Sequence, residues 1–230
     1  MTYYFDRQTY FDTVRPMFGE LSQEQINGQN YLLNFFEKQP QTILDLRYPA
    51  YELATTKHET ASTMLPIEEY GKGEGQPYGE PHPETGQTYY GRGDVQLTWY
   101  ENYLYADQML GFESEDSLVW FPDNALKPNV AARIMDRGMR EGWFRNGHDL
   151  YRYFNEEIDD PFNAREIING DKDIYPEWAG GDNIGTIIAK YHETFRKALT
   201  VSLVQSPVKP FIVRVIVPKG VQVVIEEGIG

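Results

Sequence analysis

The sequence predicts a mainly α-helical domain with a β-hairpin appended at its C-terminus. Three observations carry this: apolar residues recur at helical spacing in several segments, a long stretch rich in glycine and proline interrupts them, and strict alternation replaces the helical period after Pro210.

Taken in order, the first helix begins near Gln23. Ser22-Gln23-Glu24-Gln25 fits a capping box, in which the residues at its two ends bond each other's backbone N–H, and Leu21 with Ile26 fits the accompanying hydrophobic staple. Ile26, Tyr31, Leu32, Phe35 and Phe36 then pack inward, and Pro40 lies beyond the end. In the next helix Ala50, Leu53, Ala54, Lys57 and His58 share one face, which sets His58 beside the apolar stripe and Glu59 at its border. A carboxyl held against apolar surface loses hydration, and its neutral form is favoured, as a general acid requires.

From Gly71 to Gly93 the glycines and prolines favour loop over helix. Helices are expected again from about Asn102 to Leu110, from Asn129 to Glu141 with Gly142 as the stop, and from Asn183 to Leu199. The last carries Ile184, Ile187, Ile188, Tyr191 and Phe195 as a core stripe. Asp160-Pro161 opens a short helix through Ile168 and delivers Asn169 at its end.

After Ser206-Pro207, residues 211 to 217 alternate in the manner of a strand, Pro218-Lys219-Gly220 makes a turn, and Val221 to Ile225 returns. A lone two-stranded hairpin is marginal in water and exposes its edges, so it should dock on something. The expected organisation is therefore a domain over 1–200 and a linker with an attachment hairpin over 201–230, which joins the chain to another copy or to a larger assembly such as a virion.

Composition excludes several classes. The chain has no cysteine, so no disulfide holds it. No stretch approaches the roughly 18 apolar residues that span a bilayer, and Met1 to Asp6 lacks the basic-then-apolar pattern of a signal peptide, so synthesis in a cytoplasm is expected. A net charge of -14 opposes binding to nucleic acid, which needs clustered Lys and Arg. His58-Glu59 lacks the second histidine of His-Glu-x-x-His, since position 62 is Ser, and no metal or cofactor is expected.

The remaining signal is acidic. Glu59 in His58-Glu59-Thr60 is followed ten residues later by the second member of Glu68-Glu69, and then by Tyr89-Tyr90-Gly91-Arg92-Gly93-Asp94-Val95-Gln96-Leu97-Thr98. Two carboxyl groups and a hydroxyl suit hydrolysis of a glycosidic bond, in which one acid protonates the leaving oxygen while a second carboxylate activates water.

These segments, from Leu53 to Ala61, Met64 to Gly73, Tyr90 to Gly93 and Val95 to Trp99, resemble glycoside hydrolase family 19, and within it the bacteriophage and bacterial lysozyme-like branch. Asn102-Tyr103, Ala131 to Ile134, Gly138 to Phe144 and Ala164 to Gly170 extend the resemblance, which covers roughly residues 8 to 200. It implies a two-lobed, lysozyme-like helical fold with a central cleft and an inverting mechanism. Carried over, Glu59 is the general acid, Glu69 the general base with Glu68 as the alternative, and Thr98 holds the attacking water. Gln96, Asn102 and Asn169 fall on sugar-contacting positions; Tyr90 and Arg92 shape the cleft, and His58 orients or tunes Glu59. Trp99, Trp143, Trp178 and Tyr89 could stack on sugar faces, although large aromatics more often fill cores.

Ser62 stands where many relatives carry glycine, and Ile187 where plant members carry a basic residue that supports the second glutamate. The implied function is endo-acting cleavage of β-1,4 links in peptidoglycan, by an enzyme that reaches the cell wall on release or within a virion. The alternatives are a chitinase and a non-catalytic wall-binding or virion protein that keeps the fold.

Overall fold

The computed structural model describes residues 2–112 and 114–206. Its architecture is mainly α. Strand β1 (Thr2–Phe5) leads into α1 (Arg7–Phe18), α2 (Gln23–Phe36) and α3 (Arg47–Glu59); a short ribbon of β2 (Ile67–Glu68) and β3 (Arg92–Gly93) brackets a long loop; then come α4 (Tyr100–Leu110), α5 (Pro128–Glu141), α6 (Leu150–Tyr153), α7 (Ile184–Ser202) and β4 (Leu203–Ser206).

The local signals account for most of these bounds. Ser22 Oγ accepts from Gln25 N–H at 3.2 Å while Gln25 Oε1 accepts from Ser22 N–H at 3.0 Å, the reciprocal cap expected of that sequence. Gly142 ends α5 in the left-handed conformation at φ 70°, ψ 39°, where a side chain would be strained. Asn183 caps α7, its Oδ1 accepting from Thr186 N–H at 3.0 Å. Helix α1 was not anticipated. Asp6 caps it, accepting from Thr9 N–H at 2.9 Å, and only Tyr10 and Val14 along it are buried, so its apolar period is short and Pro16 interrupts the pattern.

Helix α7 organises the core. It packs on α1 and α3, burying Ile184, Ile187, Ile188, Phe195, Ala198 and Leu199. Ile187 is thus a core residue and brings no charge toward the second glutamate. Helix α3 is buried along most of its length, Glu52 included, whose carboxyl sits fully enclosed 3.9 Å from Arg140; burial, with Asp136 beside it, pushes its pKa well above the ordinary range.

Two boundaries differ from expectation. Helix α7 continues through Ser202, and β4 pairs antiparallel with β1 from Thr2↔Ser206 to Phe5↔Leu203, so residues 201–206 belong to the domain and tie its two ends together. The region around 160–168 forms a short 3₁₀ turn, Asn163–Ile167, started by Asp160 Oδ1 accepting from Asn163 N–H at 3.0 Å. The hairpin expected over 211–225 lies outside the described residues.

The turn after β3 buries Asp94 completely, with Tyr31 of α2 donating its hydroxyl to one carboxyl oxygen and no partner for the other among the described residues. Burial outweighs the Tyr31 bond and lifts its pKa from 3.8 to about 7. A raised carboxyl pKa means that the folded state holds a proton that the unfolded chain releases, so this group's contribution declines as pH rises from about 4 to 7. Asp94→Asn is expected to gain roughly 2 kcal/mol on wild type between pH 5 and pH 8, measured by urea unfolding. Parallel stability curves over that interval would contradict the assignment.

Candidate active site

Glu59 is the last residue of α3, and the chain leaves it through a tight turn. Thr60 Oγ1 donates to Thr56 O at 2.6 Å and accepts from Met64 N–H at 3.1 Å, while Ala61, Ser62 and Met64 take φ of 49°, 67° and 62°. Ser62 therefore occupies a conformation that favours glycine. Here the position is held by Lys57, which donates to Ser62 Oγ at 2.9 Å, with the ammonium over the rings of Phe18 and Tyr191; burial lowers the Lys57 pKa to about 8.

The Glu59 carboxylate faces a guanidinium rather than the apolar border expected of it. Arg165, 2 % exposed, donates through Nη1 to Glu59 and grips Asp171 with two bonds, Nε to Oδ1 at 2.6 Å and Nη2 to Oδ2 at 2.9 Å. Burial works against the Asp171 charge, but the hydrogen bonds and charge of Arg165 prevail and hold its pKa below the usual aspartate range. Asn169 adds a bond to Asp171 Oδ2 at 3.1 Å. Arg165 and Asp171 are functional candidates that were missed. The only signal was an arginine amid Ala164, Ile167 and Ile168, where a buried cation must find carboxylates.

The second carboxylate comes from the β2–β3 ribbon. Glu68 pairs in register with Arg92 and turns to that face, where Lys72 at 2.8 Å and the Tyr90 hydroxyl at 2.9 Å hold its pKa below normal. Glu69 turns the other way: its Oε2 accepts Gly91 N–H at 3.2 Å, and Tyr78 donates to Oε1 at 3.4 Å. A Cβ on Gly91 would stand 2.9 Å from Gln96 Oε1 and 3.4 Å from Thr98 Oγ1, so the Glu69 carboxylate, Gln96 and Thr98 meet around that glycine. Gly91→Ala should push these groups apart and lower turnover about tenfold or more, with thermal unfolding as the control for misfolding. An alanine variant of full activity would show the close approach to be incidental.

Thr98 is presented by a contorted backbone. Gln96 and Trp99 on either side take φ of 52° and 75°, costing on the order of 1–3 kcal/mol each. Thr98 Oγ1 donates to Gln96 O at 2.7 Å, which leaves its lone pairs to accept from water; Asn102 donates to Thr98 O at 2.7 Å, which leaves its amide oxygen open. Gln96 spends its amide N–H groups on Ile67 O at 3.0 Å and Gly93 O at 3.2 Å, bracing the ribbon.

A cleft of about 430 Å³ runs between these parts, with Glu59, Phe144, Arg145, Ile168 and Asn169 on one side and Val95 to Trp99 with Asn102 on the other. Glu59, Thr98, Gln96, Asn102 and Asn169 are thus brought together, with Glu69 joined to the group through Gly91. Four candidates stand apart. Arg92 is 3 % exposed and spent on Asp123 at 2.9 Å, Tyr103, two carbonyls and the face of Tyr90 at 3.6 Å. Tyr90 is buried with its hydroxyl on Glu68, so both brace the ribbon from behind and neither is among the residues that line the cleft. Glu68 is bound to Lys72, and His58 is half-buried beside Trp178, its pKa lowered by burial and by Arg165. Two aromatics line the cleft, Phe144 and Trp99, and Trp99 is 45 % exposed and braced edge-on by Tyr78 at 5.0 Å, which favours stacking over a core role. A larger groove of about 700 Å³ along α7, between Asp159 and Val201, lies away from both carboxylates.

This mostly helical, lysozyme-like fold with a cleft is shared with a solved chitinase. Chitinase C from Streptomyces griseus HUT6037 superposes with a TM-score of 0.52 at 20% identity, over 85% of this chain and 76% of that one. A mutant of chitinase C gives 0.49 at 20% identity over 85% and 92%, and a bacterial family 19 chitinase 0.45 at 21% over 84% and 94%. No protein-family model matches the sequence, and no curated protein matches it at a significant level.

Proposed function

We propose that the protein is an endo-acting glycosidase that hydrolyses β-1,4 links between N-acetylated hexosamines, with peptidoglycan as substrate and inversion at the anomeric carbon. The observation that carries this reading is the placement of two carboxylates from separate elements: Glu59, at the end of α3, lines a cleft that also holds Thr98, and Glu69, after β2, accepts from the N–H of Gly91, the glycine against which Gln96 and Thr98 pack.

In this scheme Glu59 protonates the glycosidic oxygen and Glu69 takes a proton from a water held against Thr98 Oγ1, which attacks the opposite face of the sugar. Asn102 and Asn169 present amide groups to the acetamido and hydroxyl substituents, and Trp99 offers an apolar face to a ring.

Chitin is the second reading, favoured by the name of a solved structure that shares the fold, chitinase C. Purified protein given both polymers, with the anomers of the first products followed by NMR, tests both points. Inverted α-anomers from peptidoglycan are expected. Retained β-anomers would defeat the two-glutamate scheme, and cleavage of chitin alone would replace the substrate.

A further inference from the structure

We infer that Arg145 is a specificity-determining residue that reads a carboxylate on the glycan, the lactyl or stem-peptide carboxylate of a muramoyl unit; this rests on the polysaccharide reading of the cleft. Among the described residues that line the cleft, Glu59 and Arg145 carry charge, and Glu59 is already committed to Arg165. Arg145 is committed on one edge only. Its Nη1 binds Glu166, while Nε and Nη2 have no partner among the described residues and the side chain is 38 % exposed.

Glu166 does not cancel this cation, because Lys172 binds the same carboxylate, so the three groups sum to one positive charge in a chain of net -14. The guanidinium is also seated. A Cβ on Gly170 would lie 3.0 Å from Nη1 and 3.3 Å from both Cζ and Nη2, so the planar group rests flat on that glycine, next to Asn169. A planar fork with an open edge, fixed beside the sugar-contacting amides, is matched to a carboxylate. Chitin carries no anion along its length, whereas each muramoyl unit carries one or more.

Binding is measured in an E59Q background, which holds substrates uncut, with chitotetraose, with the alternating N-acetylglucosamine–N-acetylmuramic acid tetrasaccharide bearing free lactyl groups, and with its stem-peptide form. Arg145→Gln should raise Kd about tenfold for a muramoyl glycan and less than twofold for chitotetraose, with Arg145→Lys in between. A loss confined to the free lactyl glycan names the lactyl group as the ligand, and a loss confined to the peptide form names the stem peptide. Equal losses on all three glycans, or none on any, overturn the inference while leaving the glycosidase standing. Failure of the E59Q protein with native Arg145 to bind any of them overturns both.

Discussion

Glu59→Gln is expected to lower turnover of a soluble substrate by roughly 10²–10⁴-fold while changing substrate affinity little. The substitution keeps the size of the side chain and an oxygen that accepts from Arg165, so the cleft keeps its shape; what it removes is the transferable proton. Stability should change by no more than about 1 kcal/mol, because the two bonds between Arg165 and Asp171 still compensate the buried guanidinium. Single-turnover rates, isothermal titration with uncut oligosaccharide and a thermal melt together separate these effects. A variant that turns over at the wild-type rate would show that Glu59 is not the catalytic acid, and wild-type protein with no turnover to lose would point to the non-catalytic alternative that the sequence leaves open.

The legible part of this molecule was the part written in local chemistry. The Ser22 cap, the Gly142 stop and the α7 stripe each depend on residues within one or two turns of one another, and each stands where the sequence places it. Helix α1 was missed because its stability comes from α7, whose buried face it covers, and its own stripe is Tyr10 and Val14 alone. Strand β4 is invisible for a similar reason: its partner is at the other end of the chain.

The site divides along the same line. Residues on a contiguous stretch, Gln96, Thr98 and Asn102, fall together because a strained turn feeding α4 turns them to one surface. Tyr90 and Arg92 share that stretch, but Arg92 faces the Tyr103 and Asp123 side of the ribbon and takes Tyr90 with it. Alternation along a strand decides which of two adjacent residues meets a ligand, and the register was not in the sequence. The same alternation separates Glu68 from Glu69. Arg165 and Asp171 lie about a hundred positions from Glu59, so only the folded chain brings the charges together.

Arg165→Met is expected to be the most destabilising single change at the site, by roughly 3–5 kcal/mol at pH 7. It removes the cation shared by two carboxylates whose side chains are 15 % and 17 % exposed, and leaves them facing each other with poor hydration. Asp171 fixes the direction with pH. Its pKa in the folded protein lies below the ordinary 3.8, so the pair contributes stability that is fully present above about pH 4 and is lost as the pH falls through the lower folded value. The gap between wild type and Arg165→Met should therefore be wide at pH 7 and narrow as the pH falls through the lowered Asp171 value. A second substitution gives the cause: adding Glu59→Gln to Arg165→Met removes one of the two opposed charges and should restore about 1 kcal/mol or more, a coupling of the sign expected for groups in direct contact. Urea unfolding of the four proteins at pH 7 and pH 3 measures every term. If Arg165→Met stays within about 1 kcal/mol of wild type at pH 7, the guanidinium is not what compensates the buried charge of Glu59, and its carboxyl is held by something else.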